Sequence, residues 1–128
     1  MQGAARHDLL LTGRQALAEA EWEKARECFE RALELGDGPD AMDGLAQALQ
    51  WVGQYDAAIA MREAAFPAYR RQGLALEACD QARALAFLHG AVHGNEAAAS
   101  GWSRGRRACW KGSRRRRNTA GSRSTELR

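Results

Sequence analysis

Long apolar runs are missing from this sequence of 128 residues, and nothing approaches the roughly 20 consecutive apolar residues needed to cross a bilayer. The N-terminal stretch Met1 to Asp8 lacks the basic flank followed by an apolar run that marks a secretory signal. A cytoplasmic chain that does not engage a membrane is the expectation. Cysteine is scarce: Cys28, Cys79 and Cys109 form no CxxC pair. An odd number without a signal sequence gives no disulfide framework, so packed free thiols are expected. Proline occurs twice and aromatic residues make up 7%.

Charge is plentiful but unevenly placed. Residues 1–101 carry 9 Lys and Arg against 15 Asp and Glu, whereas residues 102–128 carry 10 against Glu126 alone. The net charge of +3 is therefore a −6 body joined to a +9 tail, and the basic total describes neither part. This shift in composition sets two regions, a helical repeat domain over 1–101 and a disordered basic tail over 102–128.

Up to Ser100 the chain is rich in Ala, Leu, Glu, Gln and Arg, the composition of strong helix formers. An all-α fold of antiparallel helical hairpins follows. Ala20-Glu21, Gly36 to Pro39, Gly53-Gln54, Gly73 and Gly94-Asn95 punctuate segments of helical length, with Gly the usual residue after a helix end. Asp40 is the expected N-cap of the third helix. Leu45, Leu49 and Val52, and Ala25, Phe29, Ala32 and Leu33, recur at three- and four-residue spacing and read as core stripes. Pro67 falls inside the fourth segment, where it removes a backbone hydrogen bond and should kink the helix.

An internal repeat is the strongest pattern in the chain. Gly13 and Ala46, Ala20 and Gly53, Trp22 and Tyr55, Ala25 and Ala58, and Ala32 and Ala65 all pair at a separation of 33 residues. Small residues at Gly13, Ala25, Ala32, Ala46, Ala58 and Ala65 let paired helices approach closely, with Trp22 and Tyr55 expected to plug the space between hairpins. On these residues the chain resembles the tetratricopeptide repeat family, which implies a short stacked solenoid. The resemblance also implies a concave face lined by the first helix of each hairpin, with Arg14, Leu17, Asp43, Gln47 and Gln50 on or near it. Departures from the family pattern include Leu9 and Thr12 at positions where larger residues are usual, and Arg62 where an aromatic would sit. No capping helix with a polar outer face is evident.

Past Trp102 the periodicity stops and Arg, Ser and Gly take over, with Arg114 to Arg117 in one run. One source of such a switch is the loss of a single base near the Trp102 codon. Restoring it makes Cys109 and Trp110 each give Leu, Met or Val and lets Lys111 give Glu, so that the segment reads as amphipathic helix, loop and helix. Gly13 to Ala18 with Trp22 to Arg26, Glu63 to Gly73, and Gly94 to Trp102 together resemble the N-terminal region of actinobacterial LuxR-type transcriptional regulators. In that family a helical-repeat region precedes a C-terminal helix-turn-helix. The resemblance covers residues 9–102 and implies a fragment that senses a partner or ligand without carrying the DNA-binding part. If the tail is genuine protein, its arginines would release counterions from phosphates and bind nucleic acid without sequence specificity.

Catalytic chemistry finds no support. His89 and His93 share helical spacing, but Gly90-Ala91-Val92 between them lacks a metalloprotease glutamate and no third ligand is evident. Glu19, Glu21, Glu23, Glu27, Glu30 and Glu34 alternate with Lys24, Arg26 and Arg31 in the manner of a solvated helix face. The sequence thus points to a non-catalytic interaction module with no cofactor and no metal, taking as partner a protein or the rest of a repeat array. The alternatives are a free-standing repeat adaptor and a nucleic-acid-associated protein working through its tail.

Overall fold

The computed structural model describes residues 2–108, and the expectations placed on 109–128 lie outside these residues. Helix α1 spans Gln2–Ala18, α2 Trp22–Leu35, α3 Pro39–Trp51, α4 Tyr55–Arg71 and α5 Ala75–Phe87, with a π-helical turn over Leu88–Val92 continuing α5. A sixth helix, α6, covers 96–108. Among the described residues there is no strand, and the breaks fall at the five punctuated sites. Residues 102–108, assigned to the tail by composition, lie within α6. No helix among the described residues is long and apolar enough to cross a membrane.

Three of the turns close in the same way. After α1, the Glu21 N–H donates to the Ala16 carbonyl at 2.8 Å and the Ala20 N–H to Leu17 at 3.2 Å. Gln54 and Gly53 repeat this pair of bonds after α3, as do Leu74 and Gly73 after α4. This double bond pattern satisfies the carbonyls left open at a helix end, and its pivotal residue must take positive φ. Gly53 and Gly73 do so at 84° and 75°, but the first turn holds Ala20 at 61°. A side chain there meets the following carbonyl, at a cost of about 1–2 kcal/mol that glycine avoids. Ala20→Gly is therefore expected to stabilise the protein by about 1 kcal/mol, read as a higher urea midpoint; an unchanged or lower midpoint would contradict the strain.

The turn after α5 differs. Gly94 takes φ 66° but follows the π-helical turn, in which His93 donates to Leu88 at 3.2 Å. The widened turn contributes to placing Gly94 41 residues after Gly53, against 33 between Ala20 and Gly53. The repeat is thus regular over two hairpins and stretched in the third.

Two compact units divide the chain, Met1–Ala68 and Tyr69–Arg128, and the division falls within α4 just past Pro67. In the first unit α1 packs on α2, and α3 packs against both. Its core holds Leu10, Ala16, Ala25, Phe29, Ala32, Ala41, Leu45, Ala48, Leu49 and Ala58. Phe29 is its largest fully buried side chain, and its ring is flanked by Gly13 of α1 and Gly44 of α3. A Cβ on Gly13 would lie 2.8 Å from Phe29 Cζ, and one on Gly44 would overlap the ring more severely. Two helices without side chains at these points clamp an aromatic from the third. In the second unit Ala78, Cys79, Gln81, Ala82, Ala84, Leu85 and Leu88 are buried, and the Cys79 thiol donates to the Arg106 carbonyl of α6 at 3.7 Å.

Helix α3 starts two residues earlier than the sequence suggests. Pro39 occupies the first helical position, where its missing N–H is not needed, and Gly38 is the N-cap. Asp40 lies inside the first turn, so it does not cap the helix from outside as expected.

Candidate functional site

Helix α3 carries the polar stripe Asp43, Gln47 and Gln50, whose i, i+4, i+7 spacing places them on one face. Opposite stands Arg62 of α4, only 7% exposed. Its Nε donates to Gln50 Oε1 at 2.7 Å and its Nη1 to Asp43 Oδ1 at 3.3 Å, while Gln47 Nε2 donates to the same Asp43 oxygen at 3.3 Å. A planar guanidinium is suited to two such acceptors held at fixed separation, and burial raises the cost of leaving either unmet. Arg62 fills the contact between α3 and α4 with its stem and meets Gln50 and Asp43 with its head.

Of the five residues implied for a concave face, Asp43, Gln47 and Gln50 are thus brought together, and Asp43 and Gln50 are engaged by Arg62. Gln47 remains exposed. Leu17 is half-buried and packs against the core of the first unit, and Arg14 is exposed on α1.

The repeat-packing residues are placed as follows. Gly13 is buried against Phe29, and Ala25, Ala32, Ala46, Ala58 and Ala65 are all fully buried. Trp22 is half-buried and stacks on Trp51 with ring centroids 4.8 Å apart and planes 6° from parallel. Tyr55, expected to plug the space between hairpins, is 39% exposed at the start of α4. Trp51, the stacking partner of Trp22, has 66% of its own surface open. Two indoles can share a flat contact while their edges remain wet.

A second polar contact was not legible beforehand. Arg6 of α1 donates from Nε to the Gly36 carbonyl at 3.1 Å and from Nη2 to Asp40 Oδ1 at 2.8 Å. It ties the start of α1 to the loop between α2 and α3. Burial pushes the Asp40 carboxyl up, but the Arg6 hydrogen bond, the Ala41 N–H at 2.8 Å and the charges of Arg6 and Arg14 outweigh it. The pKa therefore lies below its ordinary 3.8. A depressed carboxyl contributes stability that is present above the unfolded pKa near 3.9 and is lost as pH falls through the folded value. Asp40→Asn is expected to cost at most about 1 kcal/mol near neutrality, the partly exposed pair being screened. The difference between the two proteins should shrink below about pH 4, a window that urea titrations at several pH values would test. A difference that persists undiminished at low pH would exclude the ion pair as its source.

His89 is half-buried in the π-helical turn and His93 is exposed beyond it. Among the described residues no group of three His, Cys, Asp or Glu side chains is placed to hold a metal ion. Cys28 and Cys79 are free thiols, while Cys109 lies outside the described residues. No family model, curated protein or solved structure matches the chain.

Proposed function

We propose that the chain is a non-catalytic, tetratricopeptide-like interaction or sensory module, the N-terminal fragment of a LuxR-type transcriptional regulator without its helix-turn-helix. The observation that carries this reading is the equivalence of the first two helical hairpins. Ala25 and Ala58, and Ala32 and Ala65, are fully buried at a separation of 33 residues, and the preceding turns close with the same backbone bonds. Repeats of this kind present a surface assembled from several helices instead of one reactive pocket. On this reading the Asp43, Gln47 and Gln50 row with Arg62 lies at the interaction face, with Gln47 and Arg14 as its exposed contacts. The gene supplies the test: adding one base near the Trp102 codon should open a long frame ending in a helix-turn-helix. A downstream frame that closes at once would refute the fragment.

A second reading, a free-standing adaptor that binds a protein partner through the repeats, is favoured by one observation. Helix α6 continues past Trp102 to residue 108, and the Arg106 carbonyl accepts from Cys79 of α5. Residues beyond the proposed frame change thus take part in the third hairpin. Partner binding that survives deletion of residues 109–128 would support the adaptor, whereas binding of short DNA that vanishes with the same deletion would favour the nucleic-acid reading.

A further inference from the structure

At the open end of the third hairpin, α5 and α6 flank a solvent-open pocket of about 500 Å³ lined by Leu76, Cys79, Asp80, Arg83, Arg106 and Arg107. Its size lies within the roughly 300–1,000 Å³ of small-molecule sites. Leu76, Cys79 or Asp80, and Arg83 recur at i, i+3/4, i+7, so α5 turns one face to it. The lining divides into an apolar part, Leu76 with the thiol side of Cys79, and a cationic part of three guanidiniums against one carboxylate. That carboxylate does not neutralise them: Asp80 meets Arg83 at 3.9 Å, with the two side chains 68% and 63% exposed, a contact of little strength.

From this geometry we propose that the α5/α6 cavity binds a small amphiphilic anion, an oxyanion headgroup carried on a short apolar body. The headgroup is bonded by Arg83 and Arg106 with Arg107 beside them, since guanidinium donors match the paired oxygens of carboxylate and phosphate. The apolar body lies on Leu76 and Cys79. The inference goes beyond the repeat-face reading and uses none of its residues, but it draws Arg106 and Arg107 from the stretch past Trp102.

Calorimetric titration of the full chain with octanoate, octyl phosphate, octanol and inorganic phosphate tests it. One or both of the amphiphilic anions should bind at least tenfold more tightly than octanol and than phosphate, and the tighter of the two identifies the headgroup. Arg83→Gln and Arg106→Gln, both at exposed positions, should each weaken that binding about tenfold, the loss expected for a hydrogen bond to a charged group. Arg114, Arg115, Arg116 and Arg117 all replaced by Ser should leave it unchanged. Occupancy should also slow alkylation of Cys79 by iodoacetamide, followed by peptide mass spectrometry, without slowing that of Cys28. Octanol binding as well as octanoate, phosphate binding as well as octyl phosphate, insensitivity to both glutamine variants, or loss of binding in the serine variant would each overturn the assignment.

Discussion

Phe29→Ala is expected to destabilise the first unit by about 3–5 kcal/mol, the range for truncating a buried aromatic. Whole domains command only about 5–15 kcal/mol, so the variant should unfold at a sharply lower urea midpoint or fail to fold at physiological temperature. The ring is fully buried, and its two glycine neighbours have no side chains with which to refill the space. A loss below about 1 kcal/mol would mean that the helices close over the gap, against the usual partial relaxation of a packed core. The same clamp makes Gly44 intolerant. Alanine is favoured over glycine inside a helix by about 1 kcal/mol, but here its methyl group meets the ring, and overpacking costs about 1–3 kcal/mol. Gly44→Ala should therefore be milder in a Phe29→Leu background than alone, a coupling that a double-mutant cycle measures directly.

The second large effect is expected at Arg62. Arg62→Ala should cost about 2–3 kcal/mol, because it removes two charge-assisted hydrogen bonds, one to Gln50 Oε1 and one to Asp43 Oδ1, and takes the cation from beside the Asp43 carboxylate. The value sits below that of a wholly buried pair since the Asp43 side chain is 28% exposed and water reaches it. Arg62→Lys should recover less than half of the loss: one ammonium on a flexible stem does not span both Gln50 Oε1 and Asp43 Oδ1 in the plane that the guanidinium uses. Arg62→Met, which restores volume without charge, should fall between Ala and the natural residue. Urea denaturation of the three variants checks the order, and a lysine variant as stable as the natural protein would show that charge alone matters at this site.

Helix positions were legible in the sequence because the signals are local. Alanine-rich segments, periodic apolar residues and glycine at the turns act within a few residues of one another, and each of the five breaks could be located from them. The buried alanines at 33-residue spacing belong to the same class. What escaped were contacts joining residues far apart in the chain. Arg6 lies 30 residues from Gly36 and 34 from Asp40, and neither propensity nor periodicity pairs them. Trp51 ends its helix with an open face, so nothing nearby marks it as the partner of Trp22. Gly44 lies in a helix interior, where it weakens the local signal; its reason is the ring of Phe29 on another helix. The Arg62 cluster was half legible. Asp43, Gln47 and Gln50 form a visible polar row, and Arg62 was visible as a departure, but only the packed structure shows that one answers the other.

The turns that close α1, α3 and α4 use the chain's own N–H groups and carbonyls, with a single residue at positive φ, and draw no side chain from the body of the helices. Such a hairpin carries its own ending wherever it is placed. Copying a helix that ends in such a turn would duplicate the instruction to reverse direction along with it, unlike the α2–α3 loop, which leans on the Arg6 side chain of α1. The small buried residues then decide only whether the added hairpin fits against its neighbour. This division of labour frees the exposed faces of the helices from the turns, while the turn residues and buried alanines of the first two hairpins keep one spacing.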